Sequence, residues 1–427
     1  MQGRLADLQL ALDELREDYQ SRIDSLELRL AATESQLKKQ INSGATQQAA
    51  PASRLTAVAG SDNSFNPAIG VIFQGQAWDY QRNPESYEIP GFPLGGEAGP
   101  VSEGLSLGET EIDISANVDD KFTAWLTLPV VIEDGETVVE IEEAWIETLS
   151  LAGGVSARMG RFFSNIGYLN SKHSHSWDFV DQPLAYQAFL GNQYIDDGVQ
   201  LRWLAPTDFY LELGGELLRG GRYPAGGAAD SGFGSHALFA RTGGDIGASH
   251  SWQAGLSYLD SSSIDRESGP EDDPLLFGGE SDLMIAELIW KWAPNGNSRQ
   301  RNFKLQAEYL HRDEVGVYTL TDGREQRYDS GADGWYVQAI YQPVPRWRIG
   351  GRIDSLDGDF PGAGFMNTPL DTRGDDPRRY SAMVDWSNSE FSRLRLQYTR
   401  DDVADRADNQ WGLQYIHSIG AHGAHGF

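Results

Sequence analysis

Hydrophobic and polar residues alternate along the chain from Phe65 to the C-terminus, which is the period expected of strands with two different faces. In "FTAWLTLPVVI" one face carries only apolar side chains: Phe122, Ala124, Leu126, Leu128, Val130 and Ile132. The alternation recurs in "RYSAMVDW", "NFKLQAEYLH", "GWYVQAIY" and "FSRLRLQYTR". With the weaker segments included, the pattern predicts an all-β chain of about sixteen strands, each near the length that a tilted membrane-spanning strand requires.

The connections between these strands alternate in length. Short turns such as "NVDDK", "APTD" and "QPVP" alternate with predicted long loops at 81–104, 164–195, 218–234, 260–281, 313–333 and 354–378. Short turns on one rim and long loops on the other are typical of an outer-membrane β-barrel. We therefore predict an antiparallel transmembrane β-barrel over residues 65–427, with both of its ends on the periplasmic side.

Two soluble architectures also consist of many short strands. A β-propeller should repeat every 40 to 50 residues or so, and the sequence contains no such repeat. Sandwich domains would not sustain one long and short alternation across the whole segment. The membrane barrel is therefore preferred.

Residues 1–41 follow a different period. Their apolar and aromatic residues have a 3,4 spacing with one stutter: Leu5, Leu8, Leu12, Leu15, Tyr19, Ile23, Leu26, Leu30 and Leu37. So narrow a stripe predicts a periplasmic coiled coil that packs against copies of itself, and a helix docked on its own domain is the alternative. The stripe does not fix the number of strands, and the preference for a homotrimer comes from the predicted outer-membrane barrel. Residues 42–64, rich in Ala, Ser, Gly and Gln, predict a flexible linker.

Composition narrows the function classes. The 427 residues carry a formal net charge of -29 and include no cysteine, so thiolate metal sites and disulfides are excluded. An acidic surface repels nucleic acid and attracts divalent cations. The N-terminus has no secretory signal pattern, which fits either a cytosolic protein or a mature chain whose signal was removed.

The polar face of each strand is predicted to line the lumen. On the early strands this face is acidic, with Glu109, Glu111, Asp113, Glu140 and Glu142. On the late strands it is basic, with Arg348, Arg352, Arg393 and Arg395. Two walls of opposite charge in a water-filled lumen would orient dipolar solutes, whereas in a packed interior they would pair with each other.

The predicted loop 164–195 is the candidate constriction of this lumen. It is less charged than the other long loops and rich in aromatic residues, so we expect it to fold inward and bury its rings. The residues that we expect to narrow the pore are Lys172, Trp177, Asp178, Phe179 and Asp181.

The same loop contains a candidate metal site. His173 and His175 share a side if the chain is extended there, and Asp178 could complete a nitrogen and oxygen site for Zn²⁺. Histidines in a polar turn that form only hydrogen bonds are the alternative. A second pair, His422 and His425, lies in the tail. Acidic loops could bind Ca²⁺ loosely, although they lack the spacing of a calcium loop, and no cofactor is required.

The segments "GRFFSNIGYLNSKHSHSWDFVDQPLAYQAFLGNQYIDDG", "WKWAPNGN", "SEFSRLRLQYTRD" and "IGAHGAHGF" resemble a proteobacterial outer-membrane family. Its members are often labelled zinc-regulated or TonB-dependent-type receptors, and they resemble trimeric porins with an N-terminal periplasmic coiled coil. The resemblance covers nearly the whole chain and carries over His173, His175, Trp177, Asp178 and Phe179. Many relatives have a His-rich extracellular loop, but the corresponding loop here, 260–281, contains no histidine.

These patterns together predict a porin for small hydrophilic solutes or ions, with a preference for cations or zinc. The rival is a structural or adhesive barrel that the coiled coil tethers to the periplasm. No catalytic motif is present, so we expect no enzyme. The expected partners are a second and third copy of the chain, outer-membrane lipid and lipopolysaccharide, and the barrel assembly machinery, which would recognise the terminal Phe427.

Overall fold

The computed structural model describes residues 67–133, 136–149, 151–227, 232–270, 272–404 and 406–420. The predicted coiled coil, the linker, the tail histidines and Phe427 lie outside these ranges.

The described residues form one antiparallel sheet that closes on itself. Its segments are β1 (Ala68–Tyr80), β2 (Gly104–Leu107), β3 (Thr110–Asn117), β4 (Phe122–Glu133), β5 (Glu136–Val139), β6 (Glu143–Thr148), β7 (Val155–Phe163), β8 (Ile195–Leu204), β9 (Tyr210–Leu218), β10 (Ser235–Ile246), β11 (His250–Ser268), β12 (Leu275–Trp292), β13 (Asn302–Thr319), β14 (Glu325–Val344), β15 (Trp347–Gly358), β16 (Arg378–Ser389), β17 (Ser392–Asp402) and β18 (Asp408–Gly420). One α-helix, α1 (Leu184–Leu190), and five single 3₁₀ turns complete the structure: Pro84–Ser86, Ala152–Gly154, Ser174–Ser176, Pro294–Gly296 and Ala363–Phe365.

The eighteen segments make sixteen barrel strands. β2 and β3 pair one after the other with β1, and β5 and β6 do the same with β4. Pairing of β1 with β18 closes the ring. The predicted all-β barrel of about sixteen strands is confirmed.

The two faces of the barrel wall have opposite chemistry. Leu256 and Met284 are 64% and 55% exposed on the outer face. Gln306 and Arg395 are fully buried on the inner face. A water-soluble domain would place these residues the other way round, so the pattern is that of a barrel whose outer face meets lipid. None of the helices in the described residues is long and apolar enough to cross a bilayer.

Two of the predicted long loops are wrong in extent. Residues 260–281 and 313–333 are mostly strand, because β11 runs to Ser268, β12 begins at Leu275, β13 runs to Thr319 and β14 begins at Glu325. Strands of 18 to 20 residues are longer than a bilayer requires, so these hairpins extend beyond it. An apolar cluster packs the hairpins against the 359–377 connection and stabilises the extension: Leu275, Phe277, Tyr318, Leu320, Tyr328, Phe365 and Leu370.

Two strands are interrupted at acidic residues. Glu109 lies between β2 and β3, and Glu140 to Glu142 lie between β5 and β6. At the second break the alternation loses its phase, since Glu142 and the next residue, Glu143, both contact His173 inside the barrel. Irregularities of this kind redirect side chains, and here they bring two successive carboxylates to the lumen.

Candidate functional site

Residues 164–194, between β7 and β8, form an inward segment whose side chains contact inward-facing residues around the barrel. Its partners include Gln74 on β1, Glu216 on β9, Tyr336 on β14 and Gln397 on β17. The segment therefore crosses the lumen, as the place of the predicted loop 164–195 suggests.

A single asparagine joins the two ends of the inward segment. The fully buried Asn170 donates from Nδ2 to the carbonyl oxygens of Ser164 at 2.7 Å and Tyr194 at 2.8 Å. Its Oδ1 accepts from the backbone N–H of Tyr194 at 2.7 Å. We call this the neck. A loop whose ends are tied together in this way can pack as a compact unit.

The neck is anchored to the wall by two glutamates. Glu216 accepts from the Ser164 hydroxyl and, at 2.8 Å, from the backbone N–H of Asn165. On the other side Glu308 accepts from the Tyr186 hydroxyl at 3.1 Å and from the backbone N–H of Tyr168. These bonds pair backbone donors that would otherwise be buried without partners.

Helix α1 is the apolar part of the inward segment, and it lies on the side of the barrel where the long loops are. All seven of its residues are buried, and the Phe189 ring lies 6.0 Å from the ring of Phe92, centroid to centroid. Phe92 belongs to the 81–103 connection, and the Tyr223 hydroxyl, from the 219–234 connection, donates to Ala188 O at 3.0 Å. Other long connections therefore cover α1.

Residues 171–182 form the polar stretch of the segment, and ion pairs attach it to the basic wall. Asp178 pairs with Lys304 and, at 3.0 Å, with Arg348. Asp181 lies 3.0 Å from both Arg352 and Arg379. Burial alone would raise the pKa of each carboxyl, but Lys304 and Arg348 hold the pKa of Asp178 below its ordinary value, and Arg352 and Arg379 do the same for Asp181.

The other predicted basic residues bind the backbone of the polar stretch. Arg393 donates to the carbonyl oxygen of His175, and Arg395 donates to that of Trp177 at 2.6 Å. Trp177 itself donates from Nε1 to Lys172 O at 2.6 Å. Arg352 lies over the Phe179 ring at 4.8 Å. The predicted constriction residues and the basic row are thus in direct contact.

On β3 and beside β6, separated from β17 by β18 and β1, a carboxylate group surrounds the two histidines. His173 Nδ1 lies 3.1 Å from Glu142 Oε2 and 3.4 Å from Glu111 Oε2, and its Nε2 lies 3.1 Å from Glu143 Oε2. His175 Nδ1 lies 2.8 Å from Glu111 Oε1. The polar stretch therefore bridges the acidic and the basic wall.

Three predicted site residues lie elsewhere. Asp178 does not join the histidines, because its carboxylate is taken by Lys304 and Arg348. Asp113 accepts from the Thr127 hydroxyl at 2.8 Å on the wall. Glu140 is exposed at the strand break.

Sequence reasoning missed several lumen residues that the alternation could have identified. Lys304, Glu308 and Gln306 share one face of β13. Lys291 on β12 and Arg241 on β10 also contribute to the basic groups beneath the inward segment. Burial beside Arg241 and Lys304 lowers the pKa of Lys172 to about 8.

Two cavities lie between the inward segment and the rim of short turns. One of about 500 Å³ is lined by Lys172, Arg202 and Arg241, together with Glu212 and Asp245. The other, of about 590 Å³, extends to the turns at Gly247 and Gly296, and its charged lining residues are Asp178, Asp245, Lys291, Lys304 and Arg348. Basic side chains outnumber acidic ones in both.

No protein-family model matches the chain. A sequence relative is an uncharacterized protein of Aquifex aeolicus (strain VF5), which is 31% identical over 353 residues, or 78% of this chain and 72% of that protein.

Solved structures with the same fold are outer-membrane proteins of low sequence identity. The anion-selective porin from Comamonas acidovorans has a TM-score of 0.53 and 9% identity, covering 83% of this chain and all of that one. The outer membrane channel DcaP of Acinetobacter baumannii has a TM-score of 0.51 and 13% identity, covering 84% and 99%. The trimer form of OmpT, an outer membrane protein of Vibrio cholerae, has a TM-score of 0.52 and 9% identity, covering 84% and 100%. At such identities the likeness shows the fold, which is that of outer-membrane porins.

Proposed function

The chain belongs to the same family as the Aquifex aeolicus protein, and we propose that it acts in the outer membrane as a porin for small hydrophilic solutes. The observation that supports this most is the closed barrel with a lipid-compatible outer face and a charged lumen narrowed by the inward segment. The narrower label of zinc-regulated or TonB-dependent-type receptor stays a prediction.

The charges that line the cavities favour anions over the cations expected from the sequence. Lys291, Lys304 and Arg348 face the larger cavity, whereas Glu111 is fully buried away from both. Asp178 and Asp245 also line this cavity, so the basic side chains exceed the acidic ones by one, and a solute there meets a net positive charge. We therefore propose small anions as the preferred solutes and assign zinc no role as a transported solute.

Reversal potentials across planar bilayers in a KCl gradient test this proposal. We expect stepwise conductance and a reversal potential of the sign that indicates chloride preference. Replacing Lys291 with Gln should lower the chloride-to-potassium permeability ratio roughly twofold, because one lumen charge is lost. Lys121→Gln is the matched control, since Lys121 lies exposed in the short 118–121 turn. Clear cation selectivity would contradict the preference for anions.

The rival function, a structural or adhesive barrel, is favoured by the apolar packing of α1 beneath the 81–103 connection. If that packing closes the lumen, purified barrels that are inserted and correctly folded should give no conductance steps. Such silence would contradict the porin proposal itself, and not merely its selectivity.

We also propose that the chain works as a homotrimer, with its coiled coil in the periplasm. The predicted heptad pattern of residues 1–41 and the trimer form of the structural neighbour OmpT support this. Light scattering of the detergent-solubilised chain should give three copies, and a truncation that removes residues 1–41 should lower the yield of trimer.

A further inference from the structure

We propose that Glu111, Glu142 and His173 form a binding site for a divalent metal ion of the Zn²⁺ class, located where the inward segment meets the acidic wall. The site does not depend on the barrel being a channel, because it is built from contacts between the wall and the segment.

Three potential ligand atoms converge where the wall meets the segment. Glu111 Oε2, Glu142 Oε2 and His173 Nδ1 lie within 4.8 Å of each other, and none of them has a hydrogen bond of regular geometry. Glu111 is fully buried, so its Oε2 is out of contact with bulk water. Buried polar atoms left unpaired in this way are costly unless a cation binds them.

The distances suit a small tetrahedral ion. Zn²⁺ bonds of about 2.0 to 2.1 Å place neighbouring tetrahedral ligands about 3.3 Å apart. His173 Nδ1 lies 3.1 Å from Glu142 Oε2 and 3.4 Å from Glu111 Oε2. A nitrogen ligand beside two carboxylates also favours Zn²⁺ over Ca²⁺ and Mg²⁺, which prefer oxygen alone.

Each ligand is oriented by an outer partner, as ligands in metal sites usually are. Glu143 Oε2 lies 3.1 Å from His173 Nε2, so a metal-bound His173 would donate its Nε2 proton there and direct the Nδ1 lone pair at the ion. His175 Nδ1 holds the other oxygen of Glu111 at 2.8 Å. Glu109 is hydrogen-bonded to both Glu142 and Ser174.

The charges of the group also favour a divalent ion. Four acidic side chains, from Glu109, Glu111, Glu142 and Glu143, surround two imidazoles, so the group is rich in the oxygen and nitrogen ligands that bind Zn²⁺. Carboxylates in contact must share a proton or a cation. A Zn²⁺ ion would supply two positive charges to this group.

The arrangement depends on both strand breaks. Glu142 and Glu143 reach the same imidazole although they are adjacent in sequence, which a regular strand does not permit. Glu109 precedes β3 at the other break. The irregular backbone on this side of the barrel therefore has a binding role in the proposal.

Metal titration of the full, refolded chain in detergent tests the site. After treatment with a chelator, we expect one Co²⁺ per chain at this site, with the intense visible absorption of a tetrahedral ion, and displacement by Zn²⁺. Glu142→Gln and His173→Gln should each weaken binding at least about tenfold. His236→Gln is the matched control, because His236 lies on β10 with its side chain about half exposed.

Hydrogen exchange gives a readout that does not need the variants to fold. Zn²⁺ should slow amide exchange in residues 171–176 of the unsubstituted chain, because the ion would fix this stretch to β3 and β6. A double variant, His422→Gln with His425→Gln, should leave this protection unchanged.

Three results would overturn the proposal. They are the absence of saturable binding below about 1 mM metal, unchanged affinity in folded Glu142→Gln and His173→Gln, and loss of binding in the tail variant. None of them bears on conductance, so the metal site and the porin function can fail separately.

Discussion

The polar stretch and helix α1 belong to one inward segment, but different forces hold them in the lumen. The polar stretch, residues 171–182, is attached by ion pairs and by hydrogen bonds from arginines to its backbone. Helix α1 is enclosed mainly by apolar side chains from the wall and from the 81–103 connection, and it also donates hydrogen bonds to Glu308 and Asp354. Ion pairs respond to pH and salt, whereas apolar packing does not. The two parts of the segment should therefore loosen under different conditions.

The largest effect should follow from a cavity under α1. Phe189 is fully buried, contacts Phe92 and lies below the guanidinium of Arg312 at 4.8 Å. Phe189→Ala should destabilise docking of the helix by about 3 to 5 kcal/mol. The rate of limited proteolysis within residues 184–194 measures this loss of docking. Phe391→Ala, at a half-exposed position in a short turn, should leave that rate unchanged. Equal protection in both variants would show that α1 is held by something other than this packing.

Opening the neck should have a smaller effect that reaches both parts of the segment. Asn170→Ala removes three hydrogen bonds between buried groups, which we expect to cost about 2 to 3 kcal/mol. Hydrogen exchange should then increase in the polar stretch and in α1 together. The control is Asn388→Ala, at an exposed position on β16. An increase confined to one part would show that the two dock independently of the neck.

Acid should undock only the polar stretch, and its effect on docking should be smaller than that of either substitution above. The folded pKa values of Asp178 and Asp181 lie below the ordinary value of 3.8, so their ion pairs stabilise the docked segment above about pH 4. That stability is lost as the pH falls below 4 through the folded pKa values, when the carboxylates take up protons. Exchange at residues 177–182 should increase in this range while α1 stays protected.

Asp181→Asn sharpens the acid test at neutral pH. The substitution removes the carboxylate charge that pairs with both Arg352 and Arg379, which should destabilise docking of the polar stretch by about 1 to 2 kcal/mol. The increase in hydrogen exchange at low pH should then be smaller than in the unsubstituted chain. Asp322→Asn, in the exposed 320–324 turn, should leave the response unchanged. An acid response of full size in Asp181→Asn would assign the effect to other carboxyls.

The sequence was sufficient to predict the barrel and the direction in which its charged rows face. The inward direction of Arg352 and Arg395 follows from the two-residue period of the strands. Lipid on one side of the wall and water on the other impose opposite chemistry on neighbouring residues. The same reasoning failed beyond the bilayer, where "DSSSIDRESGPEDDP" resembles a loop although β11 continues to Ser268. A strand with water on its outer face has no reason to be apolar there.

The partners of the inward segment could not be read from the sequence. Asp178 and His173 are five residues apart, yet one pairs with Lys304 on β13 and the other with Glu142 next to β6. Which wall each side chain meets depends on how the segment folds across the lumen. The phase change between Glu142 and Glu143 is likewise a property of the paired strands and not of either residue.

The contacts of the polar stretch also set an order for assembly. Trp177 and Val180 bind Arg395 and Gln397, which follow them by 218 and 217 residues. Pairings so distant in the chain form late, since the loop between them must first be closed. The polar stretch therefore cannot reach its final position until β17 is in place, and a nascent barrel that has not yet closed should carry this stretch undocked.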